Sequence, residues 1–337
     1  MRAFVITAPG QAAVADVASP VAARGQAVVD VERAGVCGTD VEFFTGEMAY
    51  LRQGHARYPM RPGHEWCGTV TAVGDDADRA WLGRRVTGDT MLGCGRCERC
   101  RGGRHHVCAD RSEVGIRGGW PGALAEQLAV PVTALRELPA SVDAAAGALA
   151  EPGGSALRAV RAAAVGSGDR LLVLGPGTIG LLAAQFALAH GAEVHVLGQT
   201  PESIRFAAAL GVAGAWAASS LPALAFDAVI DCSNAADLPA LALDLVEPGM
   251  RIVYVGLAGL PSAVDTRTMV LKDVTAIGIL GGSHALAAAI GHYAAGSVDP
   301  RPLVAATVGL DQVGDVLAGS RPPGAGPGPK ILIDPRR

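Results

Sequence analysis

The sequence predicts an α/β protein with two domains, one rich in β-strands and one built on a doubly wound parallel sheet. Three observations support this prediction. The chain has 337 residues, enough for two domains that each bury a core. Residues 1–140 consist of short strands between turn signals. Beyond about residue 141, continuous apolar strands alternate with helices, as in a parallel sheet that is covered on both faces.

The individual elements follow from local patterns. In the first part the strands are AVVDVERAG, GTVTAVGDD and RRVTGDTML, and most end at glycine or aspartate. An Ala-rich helical stretch begins near residue 141, and we expect Pro152-Gly153-Gly154 to break it. The later strands are predicted at 171–174 and 193–197 and in FDAVIDCS, MRIVYVGLAG and KILID. Helices are predicted at about 178–190 and 201–210 and in HALAAAIGHYAAG.

Composition excludes several classes of protein. Apolar residues make up 50% of the chain and charged residues 18%, which is typical of a globular protein. The net charge is −4 with scattered basic residues, so we expect no nucleic-acid partner. No apolar run reaches 18 residues, and the N-terminus lacks the pattern of a signal peptide. We therefore expect a cytoplasmic protein without a membrane partner.

Four of the seven cysteines fall in one run, CGRCERCRGGRHHVC, and predict a metal lobe at about 91–110. Four thiolates that close on one loop suit the tetrahedral geometry of Zn²⁺ and leave no position for substrate, so the site would be structural. Two disulfides are the alternative, although adjacent Cys-x2-Cys pairs would form strained loops. The ligands are Cys94, Cys97, Cys100 and Cys108.

A glycine-rich turn follows the strand at 171–174 and opens a helix. Gly175, Gly177 and Gly180 form a G-x-G-x-x-G, which in this context is typical of dinucleotide binding. The N–H groups at the start of the helix, from Thr178 and Ile179, suit a pyrophosphate. A plain strand-turn-helix without a ligand is the alternative.

The end of the next strand bears on the choice of coenzyme. An NAD site usually has Asp or Glu there, whereas this chain reads Gly198-Gln199-Thr200. Without a carboxylate nothing repels a 2′-phosphate, Thr200 can bind one by a hydrogen bond, and Arg205 could reach it. The sequence therefore favours NADP(H), while NAD(H), or a site that takes either coenzyme, stays open. Arg205 could equally be a solvated helix residue.

Further motifs complete a family pattern. Cys37 lies in CGTD, His64 and Glu65 lie in GHEWCG, and Glu151 lies in LAEPGGS. Together with the four-cysteine run, GIRGGWPGALAE and the glycine turn, these motifs resemble a zinc-containing medium-chain dehydrogenase of the polyol and threonine dehydrogenase branch. The resemblance covers essentially the whole chain, and the motifs occur in the family's order.

The resemblance implies a catalytic zinc held by Cys37, His64 and a carboxylate, for which Glu65 and Glu151 are both candidates. One thiolate, one imidazole and one carboxylate leave a position open for substrate. With the four-cysteine lobe this makes two zinc ions per chain. Asp40 would orient His64, as carboxylates commonly do for metal-bound imidazoles.

The proton path is less defined. Thr39 resembles the hydroxyl residue that binds the substrate oxygen in this family. Glu42 stands where many relatives have histidine; it could relay a proton, bind a substrate hydroxyl, or have no role. His55 is another possible outlet. Aromatic residues near the ligand motifs could line a pocket or belong to the core, namely Phe43, Tyr50, Trp66 and Trp120.

The resemblance also implies the architecture and the reaction. We expect a GroES-like catalytic domain of 1–145 and 285–337, a Rossmann domain of 146–284, and an active site in the cleft between them. The expected reaction is reversible oxidation of a secondary alcohol to a ketone by direct hydride transfer. Polar residues of the loop 48–59 favour a polyol, sugar or aminocyclitol substrate. We also expect a homodimer or homotetramer.

Three alternatives stay open at this stage. One is a ketone reductase that acts mainly in the opposite direction with the same residues. Another is an enoyl reductase of the wider superfamily, against which the predicted zinc ligands argue. The third is a non-catalytic protein that binds zinc and nucleotide.

Overall fold

A computed structural model describes residues 1–337, which divide into two compact units. Unit 1 consists of Met1–Glu151, Pro300–Gly326 and Lys330–Arg337, and unit 2 consists of Pro152–Asp299 with Pro327–Pro329. Unit 2 thus extends to residue 299, whereas the sequence pattern suggested 284. The helix that lies in this interval belongs to unit 2 because its Tyr293 stacks on Phe186, with 6.1 Å between ring centroids.

The chain forms seventeen strands. In chain order they are β1 Arg2–Ala8, β2 Gln11–Asp16, β3 Gln26–Gly35, β4 Glu65–Val73, β5 Arg85–Gly88, β6 Met91–Leu92, β7 Ser112–Glu113, β8 Gln127–Pro131, β9 Leu135–Glu137, β10 Arg170–Leu174, β11 Glu193–Leu197, β12 Gly214–Trp216, β13 Phe226–Asp231, β14 Val246–Tyr254, β15 Thr275–Gly278, β16 Val304–Gly309 and β17 Lys330–Asp334.

Eleven α-helices accompany the strands. They are α1 Gly38–Thr45, α2 Ala49–Arg52, α3 Glu98–Arg101, α4 Ala144–Ala148, α5 Ala150–Ala163, α6 Thr178–Ala189, α7 Pro201–Ala209, α8 Leu238–Leu245, α9 Thr266–Leu271, α10 Leu286–Ala295 and α11 Val313–Leu317. None of them is both long enough and apolar enough to span a lipid bilayer.

Unit 1 is built on a seven-stranded sheet in the order β16-β17-β3-β4-β5-β9, with β8 also paired to β3. All neighbours are antiparallel except β16 and β17. Its core is largely aliphatic, and the two largest side chains in it, Trp66 and Phe43, are both fully buried. These two aromatic residues therefore belong to the core rather than to a substrate pocket.

Unit 2 is built on a six-stranded sheet in which every pair is parallel. The order is β12-β11-β10-β13-β14-β15, which is the 3-2-1-4-5-6 order of a dinucleotide-binding fold when counted from β10. The direction of winding changes between β10 and β13, and ligands of such sheets bind at the carboxyl ends of strands at this switch point. The two sheets confirm the predicted α/β class.

The predicted break at Pro152-Gly153-Gly154 is wrong, because α5 continues through it. Pro152 is the third residue of the helix, where a backbone N–H has no partner within the helix, so proline costs little there. Gly153 is needed for a different reason. A Cβ on it would lie 2.1 Å from the hydroxyl oxygen of Tyr293. The glycine therefore makes room for α10 instead of ending α5.

Candidate metal centre and coenzyme site

Strand register brings three distant segments together at one edge of the unit 1 sheet. β3 ends at Gly35, which lies opposite Glu65, the first residue of the antiparallel strand β4. On the other side of β3, Leu332 of β17 also lies opposite Gly35. Cys37 follows the end of β3, and His64 directly precedes β4. The end of β3 and the starts of β4 and β17 therefore meet at the same place.

Cys37, His64 and Glu65 form a compact set of metal-ligating groups. One atom from each, the thiol sulfur, a ring nitrogen and a carboxylate oxygen, lies within 4.8 Å of the others. His64 and Glu65 are buried, with 5% and 2% of their surfaces exposed. The set contains one sulfur, one nitrogen and one oxygen donor, which is the ligand chemistry of a catalytic zinc site with a remaining open position.

Asp40 holds the two ligand segments together. This fully buried carboxylate accepts hydrogen bonds from the backbone N–H of Cys37 at 2.9 Å and of Gly63 at 3.1 Å. Its Oδ1 is 3.7 Å from Nδ1 of His64, and Nδ1 has no hydrogen-bond partner. Asp40 thus fixes the backbone on either side of the site and lies near His64, while its role in orienting a metal-bound imidazole stays a prediction.

The site favours a cation. Burial on its own would lower the pKa of His64, but the negative charges of Asp40 and Cys37 outweigh burial and hold the pKa well above its usual range. A proton on His64 satisfies these charges in the protein alone, and a divalent metal ion bound by the neutral imidazole would satisfy them equally. The donor set and the local charge therefore both fit a zinc ion.

Lys330, which the sequence analysis missed, forms a buried ion pair with Glu65. Its Nζ donates to Oε1 and Oε2 of Glu65 at 2.8 and 2.6 Å and to the carbonyl of Val36 at 2.8 Å. Burial alone would lower the pKa of Lys330, but Glu65 and Cys37 raise it above its usual range. A carboxylate has about four lone-pair sites, so Glu65 can accept from Lys330 and still offer a lone pair to a metal. The sequence signal was a lysine at the head of the apolar strand KILID.

Glu151, the other carboxylate candidate, lies outside this set. The charges of His64 and Glu65 affect the pKa of Glu151, but the carboxylate oxygens of Glu151 do not belong to the group of mutually close ligand atoms. Burial is the largest cause that raises the pKa of Glu151 to about 7, with Glu65 adding to it and His64 opposing it. The geometry favours Glu65 as the carboxylate closest to a metal, and the assignment itself stays a prediction.

The four cysteines of the predicted lobe lie together. Their sulfur atoms all lie within 4.8 Å of one another, with 4.0 Å from Cys94 to Cys100 and 3.7 Å from Cys97 to Cys108. A tetrahedral zinc with Zn–S bonds of ~2.3 Å would place its sulfurs about 3.8 Å apart, whereas a disulfide needs about 2.05 Å. All seven cysteines are free thiols. The spacing therefore fits a structural zinc and excludes the disulfide alternative in this structure.

A polar cluster connects this lobe with the loop at 48–59. Arg111 donates to the carboxylate of Glu113 at 2.7 Å, to the hydroxyl of Tyr50 at 3.0 Å and to the carbonyl of Cys108 at 3.3 Å. Tyr50 also donates to Glu113 at 3.3 Å, and the ring of His55 lies edge-on to the Tyr50 ring. Tyr50 and His55 thus have structural partners in unit 1.

Thr39 and Glu42, the two residues predicted for the proton path, lie on α1. Both are half-buried, and Cys37 is the N-cap of this helix. Burial raises the pKa of Glu42, and the negative charge of Glu47 adds to the effect. A carboxylate of this kind accepts a proton more readily than one in water.

The glycine turn of unit 2 has the geometry that its residues suggest. Gly175 follows β10 with φ +93°, a left-handed conformation that favours glycine. A Cβ on Gly180 would lie 2.0 Å from the carbonyl oxygen of Gly175, so only glycine lets the helix pack this closely on the turn. Gly177 is the N-cap of α6, and the helix begins with Thr178 and Ile179. Its first N–H groups point out of the helix start, where an anion can bind.

The other residues predicted to bind the coenzyme lie in the segment after β11 and in the following helix. Gly198, Gln199 and Thr200 join β11 to α7, and the hydroxyl of Thr200 caps that helix by accepting from the N–H of Ser203 at 3.2 Å. Arg205 is largely exposed and pairs with Glu202 at 3.2 Å, within its own helix. Both side chains therefore already have partners within α7 and its cap.

Comparison with known proteins agrees with this geometry. Residues 23–140 match the family model of the alcohol dehydrogenase GroES-like domain, and residues 178–295 match that of zinc-binding dehydrogenases. The chain is 30% identical over 277 residues to the L-threonine 3-dehydrogenase of Edwardsiella ictaluri, which covers 79% of this chain and 80% of that protein. The chain belongs to the zinc-containing medium-chain dehydrogenases. It is an enzyme of the zinc-dependent alcohol and polyol dehydrogenase class.

Two further members of this group are similar to the chain. The sorbitol dehydrogenase of Halalkalibacterium halodurans is 28% identical over 294 residues, which cover 82% of this chain and 83% of that protein. A zinc-binding dehydrogenase of Sinorhizobium meliloti 1021, solved with NADP bound, superposes with a TM-score of 0.89 at 27% identity, with 99% of each chain covered. The family and its fold, as the sequence motifs implied them, are thereby confirmed.

Proposed function

We propose that this dehydrogenase oxidises a secondary alcohol of the polyol, sugar or aminocyclitol type to a ketone, reversibly, by direct hydride transfer to NADP. The observation that supports it most directly is the set formed by Cys37, His64 and Glu65, with the four-cysteine lobe as a separate structural site. Bound zinc supplies a Lewis acid at the first site, and the nicotinamide coenzyme supplies the hydride acceptor or donor.

The chain's own residues have distinct tasks in this proposal. Cys37, His64 and Glu65 hold the metal, and Lys330 keeps the Glu65 carboxylate charged and oriented. The hydroxyl of Thr39 binds the substrate oxygen by a hydrogen bond. Glu42, whose pKa is raised by burial, takes up the proton that leaves the alcohol.

Zinc content and turnover test the assignment of the metal site. We expect inductively coupled plasma mass spectrometry to find two zinc ions per wild-type chain. Cys37→Ser should leave one zinc and a folded protein without turnover. Cys232→Ser is the matched control, because this thiol matches no ligand position, and it should keep both zinc ions and full turnover. A Cys37→Ser variant with full activity would refute the catalytic assignment.

A second pair of variants tests the proton path. Glu42→Gln should lower kcat and remove its dependence on pH. Glu47→Gln, a change of the same kind on an exposed neighbour, should keep kcat and shift its pH dependence only slightly to lower pH, because the charge of Glu47 is the smaller cause of the raised pKa of Glu42. Equal activity of wild type and Glu42→Gln would mean that the proton leaves by another group.

The preference for NADP(H) rests on the segment that follows β11. It contains no carboxylate that could repel a 2′-phosphate, and Arg205 lies on the helix that begins there. Its ion pair with Glu202 is exposed and therefore weak, so a phosphate can replace it. We expect NADPH to bind at least about tenfold more tightly than NADH in a nicotinamide fluorescence titration. Arg205→Ala should abolish the difference, and tighter binding of NADH by the wild type would show that the preference is wrong.

Polyols are the proposed substrates because the loop at 48–59 contains Tyr50, Arg52, His55 and Arg57, and because a sorbitol dehydrogenase is among the relatives. Oxidation of sorbitol, of other sugar alcohols and of L-threonine can be compared with that of 2-butanol at equal concentrations. The proposal predicts a kcat/KM for at least one polyol that exceeds the value for 2-butanol. The reverse order would assign the enzyme to simple alcohols.

We further propose that two copies of the chain associate through the outer edge of β15. This strand is the last in the unit 2 sheet and largely exposed, and an open edge of this kind readily pairs with another strand. Large exposed apolar side chains lie in the same unit, namely Leu257, Leu260, Val270 and Leu271. Light scattering should give a dimer or tetramer that Leu271→Glu weakens and that Val21→Glu, at an equally exposed site in unit 1, leaves intact. A monomeric wild type would refute the proposal.

A further inference from the structure

A cavity of about 280 Å³ lies in unit 1, beside the N-terminal hairpin that the antiparallel strands β1 and β2 form, and none of the predicted metal ligands lines it. One wall comes from the hairpin, through Val5 and Val17. Met60 and Ile116 add further apolar surface, and Trp120 contributes an aromatic ring. Because this lining is mainly apolar, the cavity suits the hydrocarbon part of a small molecule.

Two arginines also line the cavity, namely Arg57, which is exposed, and Arg61. Neither guanidinium has a hydrogen bond or an ion pair with any other group of the protein, whereas Arg85 and Arg111, for example, bind carboxylates. No acidic residue lines the cavity. Arg61 is half-buried, and the loss of contact with water lowers its pKa. The cavity therefore contains positive charge that no group of the protein neutralises.

The walls of the cavity are held by backbone hydrogen bonds. The N–H of Ile6 donates to the carbonyl of Met60 at 2.9 Å, and Met60 donates back to Ile6 at 2.9 Å. The N–H of Gly122 donates to the carbonyl of Arg61 at 2.8 Å. The hairpin, the segment that carries the arginines and the turn that carries Trp120 are thus joined to one another, so the site is largely formed before a ligand binds.

From this arrangement we infer that the cavity is a binding site for a small organic anion with an apolar body, such as an aromatic or branched carboxylate. The volume corresponds to about nine waters at ~30 Å³ each, which is room for a single ring with one anionic group. The carboxylate binds the arginine guanidinium groups, which can donate two parallel hydrogen bonds to it. The hydrocarbon part packs against Trp120 and Met60. The inference does not depend on the proposed reaction, and Arg57 is the one residue named for polyol substrates that also lines this cavity.

Calorimetric titration of the zinc-loaded protein with benzoate tests the inference. We expect one saturable site per chain. Benzyl alcohol, which has the ring without the charge, and inorganic phosphate, which has the charge without the ring, should each bind at least about tenfold more weakly, since each lacks one of the two contacts. Equal binding of benzyl alcohol or of phosphate would overturn the inference.

Variants decide whether benzoate binds in this cavity. Arg61→Met and Arg57→Met should each weaken benzoate binding by about tenfold, the effect of losing a charge-assisted hydrogen bond. Arg24→Met is the matched control, because its side chain is 92% exposed in the same unit, and it should bind benzoate like the wild type. Zinc content and unfolding midpoint verify that each variant is folded.

If Arg61→Met does not fold, a substitution in the hairpin wall of the cavity can still test where benzoate binds. Val17→Phe adds a ring at the end of the hairpin and should exclude benzoate while both arginines remain. Wild-type affinity in Arg57→Met and in Val17→Phe would place benzoate elsewhere on the protein and overturn the inference.

Discussion

The buried pair between Lys330 and Glu65 allows a quantitative test of how unit 1 is stabilised. The two side chains are 3% and 2% exposed, and Nζ of Lys330 donates to both carboxylate oxygens and to the carbonyl of Val36. Lys330→Met keeps an apolar side chain of similar length but removes the ammonium group. The Glu65 carboxylate is then buried beside Cys37 and Asp40 without a cation from the protein.

We expect Lys330→Met to lower the free energy of unfolding of unit 1 by about 3–5 kcal/mol, the usual cost of removing one partner from a buried ion pair. Both members are almost fully buried, so screening by solvent does not reduce this value. In the double variant Glu65→Gln with Lys330→Met, no charge is left unpaired. The double variant should therefore be more stable than Lys330→Met alone by about 1 kcal/mol or more.

Urea unfolding followed by tryptophan fluorescence measures the effect. Three of the four tryptophans, Trp66, Trp81 and Trp120, lie in unit 1, so the signal reports mainly on that unit. Zinc content is determined for each variant. Because Glu65→Gln removes a predicted zinc ligand, the double variant is compared with Lys330→Met in the Cys37→Ser background, in which the catalytic ion is expected to be absent. The Lys330→Met variant is also compared with its parent in that background if it loses a zinc ion.

Arg84→Met is the control for this experiment. Its ion pair with Glu137 is about half exposed, so the variant should lose no more than about 1 kcal/mol. If Lys330→Met cost no more than Arg84→Met at equal zinc content, the pair would not stabilise the sheet, and our reasoning on the ligand site would be refuted.

Three further predictions concern other parts of the chain. Cys97→Ser should lose one zinc ion and unfold at a lower urea concentration, because structural zinc binding contributes folding free energy; a variant with two zinc ions and a wild-type midpoint would contradict the lobe assignment. Arg170 holds the pKa of Glu193 at about 2, below its ordinary 4.5, so this stabilisation is complete above pH 4.5 and is lost as the pH falls toward 2. Unfolding midpoints measured from pH 6 to 3 should therefore fall less steeply in Glu193→Gln than in the wild type, and parallel profiles would refute this. Gly153→Ala should lower the free energy of unfolding by about 1–3 kcal/mol through overpacking. Adding Tyr293→Phe to this variant should restore part of the lost free energy. If the losses of the two substitutions simply added up in urea unfolding, the tyrosine hydroxyl would not be the obstacle.

Local spacing explains why some features could be predicted from the sequence. The four cysteines lie within one short loop, so their spacing alone limits how far apart their sulfurs can be. The glycine turn is likewise local, since Gly175 and Gly180 are five positions apart and both belong to one strand-turn-helix unit. The order of strands and helices in unit 2 followed from apolar patterns of single elements.

Other features depend on contacts between distant segments and could not be predicted. Whether Glu65 or Glu151 lies with Cys37 is decided by the register of β3 against β4, and no local pattern encodes that register. Lys330 reaches Glu65 because β17 pairs with the opposite side of β3. The mistaken break at Pro152 has the same origin, because Gly153 makes room for Tyr293 and Gly154 lies against Gly282 and Leu286, all far along the chain.

Some predictions from composition remain untested. The cytoplasmic location and the absence of a nucleic-acid partner are among them, and cell fractionation and a gel-shift titration would examine each directly.

The position of Lys330 also has a consequence for biosynthesis. Glu65 and Lys330 are 265 residues apart, and all of unit 2 is synthesised between them. At about 5–20 residues per second, the ribosome needs about 13–53 s to pass from one to the other. Throughout that time the β3 edge that later pairs with β17 is open, and the Glu65 carboxylate has no lysine beside it. During this interval the nascent ligand residues are therefore exposed to premature metal binding and to wrong strand pairing. The interval ends only when β17 has left the ribosome and paired with β3.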